Sequence, residues 1–514
     1  MSSKSQTNNK RIAKNTLLLY VRMLFLMLIS LYTSRVILAT LGVTDYGIYN
    51  VVGGFVSMFS ILRSGLTSAT QRFITFDLGK GNIVELRKTF STTVIIYCII
   101  SFIIFVVAEC IGTWFLSNKL NIPADRMYAA FWVFQISLLT LIINLISTPY
   151  NALIIAHEKM VAFAYMSIYE GLAKLFISFA IYYACFDKLI LFSVLLCLVQ
   201  LSVRFIYGIY CKKYFPESII LLLWEWQKIK KIYSFTGWAM FGGIAHIGFT
   251  QGVNVLLNMF FNPTVNAARA IAVQIQHVVN NFVNNFQVAV TPQIIKLYAQ
   301  GEKSQVYKLI YASSKYSYFL LLLLSLPVIL ESDQILSLWL VEVPEYTTVF
   351  FRLIIVTTAI DCISNPIMRA VDATGTIRNY QIIVGGILLL IVPVSYIVLK
   401  LGYPPFSVFI VHIALGCLAF CARLYMARHL IGISIWYYFK LVIMRCFFVT
   451  TSSALIPLLL FNYCNVSFTR LILIVIFSLI CVCISVYTIG LEKEERLFLQ
   501  NKIRGVIKYK IQKR

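Results

Sequence analysis

Apolar residues run through this chain in long blocks, separated by short segments that collect Lys, Arg, Asn, Gly and Pro. A helix crosses hydrocarbon when about 20 consecutive residues are apolar, because each backbone polar group must be satisfied inside its own segment. Spans are therefore expected near residues 17–39, 46–68, 90–115, 128–155, 161–184 and 189–211. A second set falls near 235–260, 267–290, 310–330, 349–371, 379–400 and 406–427, with two more near 438–461 and 467–490. The pattern predicts an all-α integral membrane protein of about fourteen transmembrane helices.

The blocks repeat. Ile146-Ser147-Thr148-Pro149, with Ala156 further on, returns as Ile363-Ser364-Asn365-Pro366 with Ala373. Thr44 matches Thr264, Thr70 and Phe73-Ile74 match Thr291 and Ile294-Ile295, Gly79 matches Gly301, and Trp114-Phe115-Leu116 resembles Trp339-Leu340; the offsets lie between roughly 217 and 225 residues. Six spans plus six, starting from the same side, give two lobes related by a pseudo-twofold axis along the membrane normal, an architecture recurrent in secondary transporters. The expected division is an N-lobe (1–215), an interlobe linker (216–234), a C-lobe (235–428), two extra spans (429–490) and a basic tail (491–514). Pro149 and Pro366 would bend spans four and ten at equivalent places.

Polar residues inside the spans are the candidate chemistry. Span eight carries Arg269, Gln274, Gln276, His277, Asn280, Asn281, Asn284, Asn285 and Gln287, and span seven adds Gln251, Asn254 and Asn258. Amides offer donor and acceptor together and suit sugar hydroxyls, which makes Asn254, Asn258, Gln276, Asn280 and Asn284 candidate cavity-lining groups; the competing role is hydrogen bonding between helices. Span two has a smaller stripe of Asn50, Gly53, Gly54, Ser57, Ser60, Ser64 and Thr67. Cations within spans are Arg22, Arg35, Arg63, Lys174 and Arg269. An ionisable group at such depth faces a cavity or a partner, or snorkels to the interface. Lys174 follows Glu170 by one helical turn, so an internal ion pair competes with substrate binding there. Acids inside spans are Glu109, Glu170 and Asp361; Glu170 and Asp361 are the candidates for proton or sodium coupling.

Composition agrees with the span count: 60% of residues are hydrophobic and only 12% charged, with mean hydropathy +0.83. The formal charge of +24 is mostly topology signal. Lys and Arg gather at the N-terminus and in alternate connections, while the Glu331–Tyr346 loop has acids and no cation, so both termini are expected in the cytoplasm. The tail from Lys493 to Arg514 reads as a helix on an anionic leaflet rather than a nucleic-acid element. The twelve cysteines have neither metal-ligand nor disulfide spacing and read as small hydrophobes. Span one reads as an uncleaved signal anchor. With no P-loop, no catalytic cluster and no long loop, an enzyme is disfavoured.

The stretch Ser34-Arg35-Val36-Ile37-Leu38-Ala39-Thr40-Leu41-Gly42-Val43-Thr44-Asp45-Tyr46-Gly47-Ile48-Tyr49, after a basic N-terminus, resembles the O-antigen (polysaccharide-repeat) translocases of the multidrug/oligosaccharidyl-lipid/polysaccharide exporter superfamily. The Leu-Gly-x-x-x-Tyr-Gly-Ile-Tyr portion and the Gly79-Lys80-Gly81-Asn82 turn carry the likeness, which extends over essentially the whole chain. It implies a flippase in the bacterial inner membrane that moves undecaprenyl-diphosphate-linked oligosaccharide by alternating access. Implied partners are membrane lipids and the polysaccharide polymerase and chain-length machinery. A diphosphate cargo gives the intramembrane arginines a purpose, since a guanidinium can fork onto phosphate. The rival readings are a multidrug/cation antiporter of the same superfamily and a lipid II flippase.

Overall fold

The computed structural model describes residues 3–58, 60–118, 123–183, 186–221, 225–261, 263–339, 343–497 and 500; within these, the side chains of Arg35, Arg63 and Asn258, among others, lie outside the described set, as does most of the basic tail. Every regular element among the described residues is helical. The N-lobe comprises α1 (Ser3–Met58), α2 (Ser60–Lys80), α3 (Ile83–Asn118), α4 (Met127–Ala156), α5 (Met160–Ala180) and α6 (Lys188–Tyr214). The C-lobe comprises α7 (Trp226–Phe260), α8 (Pro263–Ala299), α9 (Lys303–Leu330), the short α10 (Ser332–Trp339), α11 (Thr347–Thr374), α12 (Arg378–Leu389), α13 (Ile391–Lys400) and α14 (Ser407–Ile431). Beyond it lie α15 (Ile435–Tyr438), α16 (Met444–Tyr463) and α17 (Phe468–Ser485).

Eleven helical stretches among the described residues are long and apolar enough to cross a membrane. The three other expected spans fall in α1, α2 and α8; α8 is less apolar than the eleven because of its amides and arginine. The residues from Ser3 to Met58 are all helical, Thr44-Asp45 included, where a connection between two spans was expected. The chain nevertheless runs out and back between Leu19 and Gly79. Leu19 packs on Met160 at the start of α5, Asp45 pairs with Arg126 at the start of α4, and Gly79 returns to Lys296 and Ala299 at the end of α8. The expected linker also shortens, because α7 begins at Trp226, and its first turn is pinned to α3 by Lys228–Glu85 at 2.6 Å and Lys88–Glu225 at 3.0 Å.

Each lobe has its own apolar interior. Phe90, Leu153 and Ile154 anchor one cluster in the N-lobe, and Phe350, Phe351, Ile367 and Tyr380 anchor the large cluster in the C-lobe. The two prolines stand inside α4 and α11 as expected. Ser147, Thr148 and Ser364 hydroxyls bond carbonyls one turn back, at 2.7, 3.0 and 3.1 Å, a local pairing that accompanies bent helices.

The lobes meet at the end where the basic connections gather, and the contacts obey the duplication. Glu158 and Gly375 each stand nine residues past the proline of their lobe, and both have left-handed backbone, with φ of 57° and 82°. Arg72 and Gln293 each stand two residues past the matched threonines Thr70 and Thr291. Gln293 Nε2 donates to Glu158 at 2.5 Å with Lys296 at 3.4 Å from the same carboxylate, so α8 is tied to the end of α4. In mirror fashion Arg72 on α2 donates to the Ala373 carbonyl at 3.0 Å, capping the end of α11. Phe73 and Phe76 lie under its guanidinium at 4.4 and 4.7 Å.

Candidate functional site

Between the lobes, α1 and α8 approach through Tyr20–Phe282, 5.8 Å between ring centroids, and through Asn285 Nδ2 donating to Met23 Sδ at 3.0 Å. The polar residues of α8 then split into two sets. Gln276 donates to Thr358 on α11 at 2.7 Å, and Gln287 to Ser317 on α9 at 3.1 Å while accepting from Asn365 at 3.3 Å. Those amides hold the C-lobe together, so Gln276 takes the packing role. Gln274, His277, Asn281 and Asn284, spaced 3, 4 and 3 residues apart, form one exposed face instead. Asn280 is half-buried and Asn284 exposed, and neither makes a hydrogen bond among the described residues. The faces of α16 and α17 are different in kind, exposing Leu455, Leu459, Ile476 and Ile480.

In the N-lobe three expected residues come together. The guanidinium of Arg22 on α1 lies 4.4 Å from the Phe163 ring on α5, within electrostatic range of Glu170 and Tyr207, and its Nε has no hydrogen-bond partner among the described residues. Glu170 accepts from Lys174 at 2.6 Å and from Gln200 on α6 at 2.8 Å. The internal ion pair is thus formed, and the Glu170 carboxylate is already engaged by two donors. Close helix approach makes this geometry: a Cβ on Gly171 would sit 2.5 Å from Leu26. Beside the pair, Asn151 donates to Tyr207 at 3.1 Å.

In the C-lobe Arg269 turns back onto α7, donating to Asn254 Oδ1 at 3.3 Å and the Thr250 carbonyl at 2.9 Å, again with Nε unpartnered. Arg22 and Arg269 therefore reach into their own lobes and do not confront one another across the axis. Side chains of Arg35, Arg63 and Asn258 lie outside the described residues.

Asp361 gains a setting that sequence reasoning missed. It lines a small pocket, open to one side and with room for about one water molecule, together with His246, Phe249, Thr357, His412 and Arg423. Arg423 Nη1 stands 3.5 Å from Asp361 and donates to Ser364 Oγ at 2.5 Å. The imidazoles of His246 and His412 meet the Phe249 ring edge-on, at 5.0 and 4.9 Å. A signal existed: His412 and Arg423 are eleven residues apart, three turns along one face of a single span.

The sequence profile of the family described as "Polysaccharide biosynthesis protein" matches residues 12–298. The chain belongs to the polysaccharide biosynthesis protein family. A comparison with curated proteins finds no match. Among solved structures, one described as MATE in the bent conformation superposes with a TM-score of 0.73 at 13% identity, covering 83% of this chain and 96% of that one. An outward-facing multidrug resistance MATE family transporter of the MOP superfamily gives 0.69 at 14% identity, with the same coverage. A MOP superfamily transporter from Pyrococcus furiosus, described as having a binding pocket of reversed polarity that suggests a different function, gives 0.66 at 14%, also with 83% and 96% covered. The polysaccharide biosynthesis member has the fold of these transporters: a multi-pass, two-lobed helical membrane protein.

Proposed function

We propose that this family member is a flippase for undecaprenyl-diphosphate-linked oligosaccharide in the bacterial inner membrane, moving repeat units of O-antigen, capsule or exopolysaccharide from the cytoplasmic to the periplasmic leaflet. The observation that carries the reading is the exposed face of α8, where Gln274, His277, Asn281 and Asn284 line up on a spanning helix. Such a face against lipid would leave polar groups unsatisfied in hydrocarbon, which costs several kcal/mol per group. It belongs against water or sugar. Arg22 and Arg269, each with an unpartnered Nε, supply forked donors for a diphosphate entering either lobe. The basic end corresponds to the cytoplasm, both termini included, and its closure by Arg72, Gln293 and Lys296 corresponds to a state open toward the periplasm in an alternating-access cycle. Polymerase and chain-length proteins would receive the cargo on that side.

The test is deletion of the gene, with undecaprenyl-diphosphate-linked repeats expected to accumulate on the cytoplasmic face. Unchanged lipid-linked intermediates together with altered drug susceptibility would establish the multidrug exporter reading instead. Accumulation of lipid II would point to the third reading.

A further inference from the structure

The duplication sets an arginine at the same place in each lobe. Arg204 stands sixteen residues into α6 and Arg423 sixteen into α14, and each reaches the proline-bearing helix of its own lobe. Arg204 lies 3.9 Å over the ring of Tyr150, beside Pro149. Arg423 instead grips Asp361 and Ser364, which precede Pro366 on the same helix. The decoration around this shared frame differs. Five residues ahead of the proline the N-lobe has Asn144 and the C-lobe Asp361; five residues into the helix of the arginine, the N-lobe has Ser193 and the C-lobe His412. The C-lobe copy alone thus combines a carboxylate with imidazoles, in a cavity that opens to one side and places His246 and Asp361 at exposed positions.

Taking up the transport reading, we propose that this C-lobe pocket is its proton site: an imidazole of the His412–His246 pair takes a proton through the open side of the pocket and, once charged, competes with Arg423 for Asp361, loosening the grip of Arg423 ahead of Pro366 in α11. The proton ends on a ring nitrogen, no bond is broken elsewhere, and the site gains one positive charge. Histidine is the side chain whose ordinary range lies nearest neutrality. The charged and titratable groups that bear on the pair, besides each other, are Arg269 from α8, Asp361 from α11 and Arg423 from α14. Among them Asp361 is the one acid, so its allegiance decides whether a charged imidazole is tolerated. A hard cation such as sodium would need several oxygen ligands, whereas the cavity offers imidazole rings and a carboxylate already shared with arginine.

The experiment uses full-length protein in lipid nanodiscs with isotope-labelled histidine; the chain has five histidines, and His246→Gln and His412→Gln assign the relevant signals by NMR. At least one of the two is expected to titrate between about pH 5 and 8, and its midpoint should fall by about one pH unit, tenfold in proton affinity, in Asp361→Asn. Arg423→Gln frees the carboxylate and should move the midpoint the other way, which serves if the Asn variant does not fold. A spin-label distance spanning Pro366 on α11 should change with the same midpoint, and lose that change in the double histidine variant. Midpoints indifferent to both substitutions, or an α11 that does not move with pH, would overturn the proposal. So would histidine signals that respond to sodium at fixed pH and ionic strength. None of these readouts involves cargo, so they stand or fall separately from the flippase assignment.

Discussion

At the scale of single residues, what matters is which polar groups are already engaged. Lys174 and Glu170 were readable as neighbours one helical turn apart, and the structure closes that pair, so Lys174→Ala is expected to leave more function than Arg22→Ala. Arg22 and Arg269 hold a ring or an amide with part of the guanidinium and keep Nε without a hydrogen-bond partner among the described residues. Replacing either by Ala should abolish complementation of a translocase-deficient strain with membrane levels unchanged, and Arg22→Lys should restore only part, since an ammonium cannot fork onto a diphosphate. Normal surface polysaccharide in both Ala variants would remove the arginines from the mechanism. Outside the spans, His157 lies 2.5 Å from Glu217 and stacks on Phe215. Burial is the largest influence on the Glu217 carboxyl and raises it, but the His157 hydrogen bond, a backbone hydrogen bond and the His157 charge together outweigh it and the net shift is downward. A carboxyl held below its unfolded value stabilises the fold above the ordinary carboxylate range, and that contribution is lost as pH falls through the lowered value. The Tm of purified protein should therefore drop below about pH 4, and Glu217→Gln should flatten that acid limb while lowering Tm at neutral pH.

At the scale of elements, local sequence patterns carried far and stopped where contacts join distant segments. Apolar blocks placed the spans, and the Ile-Ser-x-Pro motif found two helices with equivalent prolines, because both signals are local. The reversal near Asp45 was legible as a place but not as a conformation: the residues on both sides of Thr44-Asp45 are helical, and the position is fixed by Arg126, which also bonds Asp187 at 2.7 Å across the connections that open α4 and α6. Asp187 caps α6 through the Leu189 and Ile190 amides, at 3.0 and 3.1 Å. Asp187→Ala should cost about 1 kcal/mol from the cap, with the Arg126 contact adding to it, seen as a lower Tm in detergent. The amide stripe of α8 was readable as a helix unsuited to lipid. Its division into packing amides and an exposed face was not, because Gln276 and Gln287 are spent on α11 and α9, helices that no periodicity within α8 can locate. His246, His412 and Arg423 were missed for a similar reason: they sit on three turns of one helix and a single position of another, and become a cluster only around Asp361.

At the scale of the whole molecule, duplication does more than build two lobes. It fastens them with two related ties, Arg72 on the Ala373 carbonyl at the end of α11 and Gln293 with Lys296 on Glu158 past α4, and the equivalent residues Gly375 and Glu158 share a left-handed backbone. One tie accepts glycine at that position and the other uses a carboxylate. At Gly375 a Cβ would fall 2.6 Å from Arg72 Nη2 with φ at 82°, so Gly375→Ala should cost about 1–3 kcal/mol and weaken closure. Glu158→Lys is the sharper intervention, because it turns attraction to Lys296 into repulsion without touching the exposed face of α8 or either arginine. Ala289, buried against Leu19 and Met160 just inside the closure, reports on the outcome. In a background lacking reactive thiols, Ala289→Cys should be protected from a membrane-impermeant reagent applied at the basic end, and become labelled once Glu158→Lys is added. The same substitution should slow delivery of lipid-linked repeats, since a cycle that cannot hold one end shut cannot move cargo in one direction. Equal labelling with and without Glu158→Lys would mean that the ties do not govern access, and that the lobes are held by their other contacts, among them Tyr20 with Phe282 and Leu19 with Ala289.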